Sequence, residues 1–193
     1  MVLAADAATL LERLSIDHAV VVGHSMGTLV ASALAVERPD LVTALILIDP
    51  VYGQTGERIA PALEAIRSHP TDTAAAIFSQ FYVDDSPPWL VFWHRRRLLG
   101  TPPNVVAEAL CALYEGPNAV GLRTVGETYL ARRKCPMLVV YGGTSLDVAE
   151  WERTLPHGAD DRIVVWPENG HFLHQEKPDA FASLCREWLE EIA

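Results

Sequence analysis

The stretch His18-Ala-Val-Val-Val-Gly-His-Ser-Met-Gly27 changes character halfway along, and the fold of the chain turns on that change. Its first half is a continuous β-branched run, too short for a helix and too uniformly apolar for a half-exposed strand, as expected of a buried parallel strand. Its second half is the pentad Gly23-His24-Ser25-Met26-Gly27, and from Met26 to Glu37 small residues continue as a helix closed by Pro39. A serine on a sharp strand-to-helix turn must take up a strained backbone, and side chains two positions before and after it would collide across the turn. Gly23 and Gly27 are expected to supply that clearance. The hydroxyl would then stand above the sheet, with the Met26 N–H at the helix start aimed where an oxyanion would form.

Upstream, Leu3, Ala7, Leu10, Leu11 and Leu14 fall at helical spacing and predict an amphipathic helix with one buried stripe, ending near Ser15. Downstream, Thr43-Ala-Leu-Ile-Leu-Ile48 predicts a second buried strand. From Val51 to about Lys134 the texture shifts to short helical stretches broken by Pro61, Pro70, Pro87, Pro88, Pro102, Pro103 and Pro117, without a convincing strand. This predicts a helical cap over residues 51–134, inserted into a core of residues 1–50 and 135–193. Within it Trp89, Phe92 and Trp93 either pack the cap or wall an apolar substrate pocket. Strands return at Met137-Leu-Val-Val-Tyr141 and Arg162-Ile-Val-Val-Trp166, and Phe181, Leu184, Cys185, Trp188, Leu189 and Ile192 predict a last helix lying on the sheet. The fold class expected is therefore α/β, a mostly parallel sheet with helices on both faces and a helical cap over the carboxyl ends of the strands.

Composition narrows the function classes. The 193 residues are 50% hydrophobic and 21% charged, enough apolar material for a folded core. A formal net charge of −10 argues against a nucleic-acid surface, and the run Arg95 to Arg97 reads as a solvated helix face. Cys111, Cys135 and Cys185 have neither zinc-site nor disulfide-scaffold spacing and are expected to be reduced and buried. No apolar run approaches the roughly 18 residues of a membrane span, and the N-terminal residues carry no basic segment, so the expected location is cytoplasmic.

The segments Val20 to Asp49, Pro136 to Gly142 and Gly170 to Phe181 together resemble the α/β-hydrolase fold family. Under that resemblance Ser25 is a nucleophile and needs a histidine base. Of seven histidines, His171 is best placed: it follows the last strand in Gly170-His-Phe-Leu-His-Gln-Glu-Lys-Pro178, which is similar to the family's GHxxxxExP, with Glu176 and Pro178 in position. His174 is expected to be structural or exposed. His24 is expected to be turned away by the elbow and to shape the pocket floor, and His18, His69, His94 and His157 have no comparable context. The family's acid would fall on Ser145, a departure from the pattern. Asp147, in Gly142-Gly-Thr-Ser-Leu-Asp147, would serve if the loop bulges; Asp49 after the second strand is the rival, and a triad without a carboxylate is the third alternative.

The resemblance implies a serine hydrolase that cleaves a small carboxylic ester or related acyl bond through an acyl-enzyme, with Ser25, His171 and Asp147 as triad and Met26 as oxyanion donor. It implies no metal and no organic cofactor, and a small-molecule ester or acyl substrate as the partner. A C–C bond hydrolase is the nearest enzymatic alternative; a catalytically inactive fragment or binding protein that keeps the elbow is the alternative from another class. The family's sheet is similar to an eight-stranded one, of which this chain shows the last four strands. The loop that carries the second oxyanion donor is therefore expected to be missing, through truncation of a longer enzyme or otherwise. The strand near Val20 is expected to become an exposed apolar edge that drives self-association.

Overall fold

In the computed structural model, which describes residues 2–193, the four apolar runs form β1 (Ala19–His24), β2 (Val42–Ile48), β3 (Met137–Gly142) and β4 (Arg162–Trp166). They lie in one parallel sheet in the order β1-β2-β3-β4. Register is continuous across it: Gly23 lies opposite Leu47, Leu47 opposite Val139, and Val139 opposite Ile163. Because successive side chains of a strand alternate faces, β2 divides its apolar residues between two layers. Leu45 and Leu47 join Val139 and Tyr141 beneath α1 (Val2–Arg13), α2 (Met26–Glu37) and α8 (Leu146–Glu152). Ala44, Ile46 and Ile48 join Leu138 and Val140 against Leu173 and against Trp188 of α10 (Pro178–Glu191).

Two expectations are corrected here. The helix α1 buries Ala4 and Ala8, while Leu3, Leu10 and Leu14 face solvent. It packs on α2, where alanines permit close approach, and no described element covers its leucine-rich side. Burial on both faces holds for β2 and β3 but not for β1, whose Val20 and Val22 are 41% and 56% exposed. Among the described residues the strand has a neighbour on one side only, as expected for an edge, and the layer beneath α10 includes none of its side chains.

Between β2 and β3 run α3 (Gly56–Ser68), α4 (Pro70–Ser79), α5 (Pro88–Leu99), α6 (Pro103–Tyr114) and α7 (Arg123–Leu130). Pro70, Pro88 and Pro103 each open a helix, where a missing N–H costs nothing. Ile66, Ala74 and Leu98 form a small core of the insertion's own. The stripe Leu90, His94 and Leu98 faces inward along α5, so Trp89, Phe92 and Trp93 emerge 55%, 69% and 47% exposed. They thus do not pack the insertion's interior. A 3-10 turn at Gly143–Ser145 leads into α8, and a single turn, α9 (Leu173–Glu176), precedes α10. The three cysteines are free thiols, half-buried rather than buried. No helix among the described residues is long and apolar enough to cross a membrane.

Candidate active site

The carboxyl end of each strand delivers one component to a common point, where parallel sheets gather their ligand-binding loops. After β1 the chain turns at Ser25, with φ 54° and ψ −123°, a left-handed conformation that an L-residue keeps only when its surroundings enforce it. The surroundings are specific. The Ser25 N–H donates to the Ile48 carbonyl at 2.9 Å, extending the ladder one residue past the strand, and the Ser25 carbonyl accepts from the Thr28 N–H at 3.0 Å and the Thr28 hydroxyl at 2.6 Å. A Cβ on Gly23 would sit 2.4 Å from the Gly27 carbonyl oxygen, so only glycine fits there. Gly27 differs from expectation: a Cβ at that position meets open space among the described residues. Met26 opens α2, so its N–H is one of the first-turn amides that an α-helix leaves without an internal acceptor.

Asp49 follows β2, also at positive φ (39°), and is fully buried. One carboxylate oxygen, Oδ1, accepts from the Gly142 N–H at the end of β3 at 2.9 Å; the other, Oδ2, accepts from the Ser145 hydroxyl at 3.1 Å. Oδ2 also meets Nδ1 of His171, from the loop after β4, at 2.6 Å, with that imidazole 3% exposed. A carboxylate oxygen facing Nδ1 at this distance fixes the proton on Nδ1 and leaves Nε2 as the basic nitrogen. The loops approach this closely because Gly142 and Gly143 lack side chains: Cβ atoms there would lie 2.5 Å from the Gly170 oxygen and 2.1 Å from the Pro167 oxygen.

The expectation for Asp147 is overturned by this arrangement. Its carboxylate is half exposed and pairs with Arg58 at 2.6 Å and Arg123 at 3.4 Å, because α8 begins at Leu146 and turns the side chain away from His171. The rival, Asp49, holds the imidazole, and Ser145 joins the site as a hydrogen-bond donor to that carboxylate.

Sequence reasoning also missed much of the histidine loop's support. The His24 ring is not turned away: its Nε2 lies 2.9 Å from the His171 carbonyl oxygen. Burial, then the neighbouring His171 and His174, lower the His24 pKa to about 3. His174 packs on His24 at 4.5 Å between ring centroids, and burial followed by His171 lowers its pKa to about 4. His94 from α5 is buried, with Nε2 donating to the Gln175 side-chain oxygen at 3.1 Å and Nδ1 accepting from the Tyr82 hydroxyl at 3.0 Å. Glu176 closes the loop on itself, accepting from Gly170 N–H at 2.9 Å, Asn169 Nδ2 at 3.0 Å and the Ser86 hydroxyl at 2.6 Å. The GHxxxxExP spacing was the one legible sign of this last contact. Among the described residues no group of three or more His, Cys, Asp or Glu is disposed to hold a metal ion.

A chemically coherent unit results: a strained serine, an imidazole with a defined tautomer, a buried carboxylate behind it and a helix N-terminus beside the serine. The model of the alpha/beta hydrolase family matches residues 2–184. Among curated proteins, the chain is 28% identical to lipase LipV of Mycobacterium tuberculosis over 94% of its own length and 72% of that protein's. It is 30% identical to the dihydrolipoyllysine-residue acetyltransferase component of the acetoin cleaving system of Cupriavidus necator, spanning 48% of that longer protein. Among solved structures, a thermophilic esterase from Thermogutta terrifontis superimposes with a TM-score of 0.77 at 26% identity, covering 98% of this chain and 71% of the esterase.

Proposed function

This chain belongs to the alpha/beta hydrolase family, and on that premise we propose that it is a serine hydrolase of small carboxylic esters, with Ser25, His171 and Asp49 as its triad. The observation that carries the reading is the 2.6 Å contact between Asp49 and His171 Nδ1, made at the strand ends where Ser25 holds its strained turn. Ester hydrolysis draws support from the lipase and the esterase among the similar proteins.

In this mechanism the Ser25 Oγ attacks the ester carbonyl carbon while Nε2 of His171 takes its proton. The negative oxygen of the tetrahedral intermediate faces the Met26 N–H. Collapse breaks the bond to the alkoxide, which leaves with the proton from Nε2, and an acyl-enzyme remains. Water then attacks the acyl carbon with His171 again as base, releasing the acid and restoring Ser25. Asp49 keeps the Nδ1 proton in place and stabilises the imidazolium formed in each half-reaction.

Treatment with a fluorophosphonate probe, alongside p-nitrophenyl acetate hydrolysis, tests this. The folded chain should be labelled and should turn over the ester, and Ser25→Ala should do neither. A folded chain that stays unlabelled, or labelling that survives in Ser25→Ala, overturns the proposal. Preferential turnover of a vinylogous diketone over the ester would move the substrate to a C–C bond.

A further inference from the structure

We propose that His24 is a positioning residue that ties the backbone of His171 to the nucleophile elbow and thereby sets the distance between Ser25 and the basic nitrogen. The inference rests on the serine hydrolase reading and adds to it the device that assembles two sites remote in sequence.

His24 and His171 are 147 positions apart, yet the His24 Nε2 sits 2.9 Å from the His171 carbonyl oxygen. A carbonyl only accepts, so the proton is on Nε2 of His24 and the ring donates. The backbone of His171 is held at its amide as well, where the N–H donates to the Phe81 carbonyl at 2.8 Å. Asp49 fixes the direction of the His171 ring, but a ring can be aimed correctly on a backbone that stands too far away. The bond from His24 supplies the missing constraint, because His24 immediately precedes Ser25 and its own place is fixed opposite Ile48 in the sheet. The two rings pack at 4.7 Å between centroids, 47° apart. His24 also packs against Phe172 at 5.3 Å and His174 at 4.5 Å, so the imidazole has little freedom to swing off the carbonyl. When His171 becomes an imidazolium during turnover, a charged neighbour at this distance would oppose it. Burial lowers the His24 pKa to about 3, so the ring is neutral at pH 7.

Two substitutions separate positioning from packing. His24→Phe keeps a ring of similar size and removes the donor; His24→Gln places an amide N–H near the former Nε2. His24→Phe should lower kcat about 10- to 100-fold, the scale expected of a displacement near 1 Å, with KM within about threefold and the melting temperature close to wild type. His24→Gln should recover most of the loss. Independently of catalysis, amide hydrogen exchange in the segment from Glu168 to Lys177 should quicken in the Phe variant and return toward wild type in the Gln variant. Unchanged exchange in His24→Phe overturns the tether, and faster exchange with unchanged kcat overturns the positioning role. Hydrolysis that persists in Ser25→Ala sinks the hydrolase reading instead, while the exchange measurement decides the tether by itself.

Discussion

Two aspartates competed for one role, and burial with backbone geometry separates them. Asp49 lies fully buried, with three donors converging on its carboxylate, whereas Asp147 lies half exposed between two arginines. An exposed ion pair contributes about 0–1 kcal/mol and orients nothing in the site. Asp49→Asn should therefore cut kcat by about 10⁴-fold, by removing the group that fixes the His171 tautomer. Asp147→Asn should leave kcat within about threefold. Steady-state kinetics of the two variants against the wild type decides the matter, and a reversed pattern would restore Asp147. The sequence reading puts Asp147 ahead of Asp49 because it lets the loop from Gly142 to Asp147 bulge. A bulge would have carried Asp147 inward; the 3-10 turn at Gly143–Ser145 instead starts a helix one residue before it.

At the level of elements, the end of α7 is locked to α8 by a fully buried ion pair. Arg133, just past α7, meets Glu152 at the end of α8 at 2.8 Å, with side chains 1% and 0% exposed. The Tyr52 hydroxyl accepts from the same guanidinium at 3.2 Å, and the Tyr141 hydroxyl of β3 donates to Glu152 at 3.1 Å. Removing one partner of such a pair strands a buried charge, at about 3–5 kcal/mol. For a chain of this size that corresponds to a fall in melting temperature of roughly 6–20 °C. Glu152→Gln should show it by thermal denaturation, and a shift under about 3 °C would mean that water or a rearranged partner satisfies Arg133. The edge strand β1 makes the opposite kind of prediction. With Val20 and Val22 exposed and one side of the strand unpaired, we propose that the chain as given self-associates through this edge. Sedimentation across a concentration series should show dimer or larger species that Val22→Lys shifts toward monomer; a wild-type monomer at all concentrations would refute it.

Across the molecule, the histidines packed at the site couple stability to pH. Burial depresses His24 to about 3 and His174 to about 4, against 6.5 in the unfolded chain. Below pH 6.5 the unfolded state takes up protons that the folded state refuses. The stability is therefore complete above that pH and drains away as pH falls toward the folded values. By pH 5 His24 alone accounts for roughly 2 kcal/mol, and the more accessible His174 for less. Denaturant midpoints at pH 7.5 and pH 5 should differ accordingly, and His174→Phe should shrink the difference; equal midpoints would mean that both rings are open to solvent. The sequence by itself determined the order of the four strands, the helices at Met26 and Pro178, the elbow at Ser25 and the loop that brings His171. Apolar period, proline and glycine placement and a nine-residue motif act over short stretches of chain. Only the tertiary structure decided which aspartate meets His171, that His24 faces the base loop, and that Trp89, Phe92 and Trp93 point outward. Each of these depends on how loops from different strand ends approach one another, or on which face of a helix its neighbours cover, and local spacing carries neither.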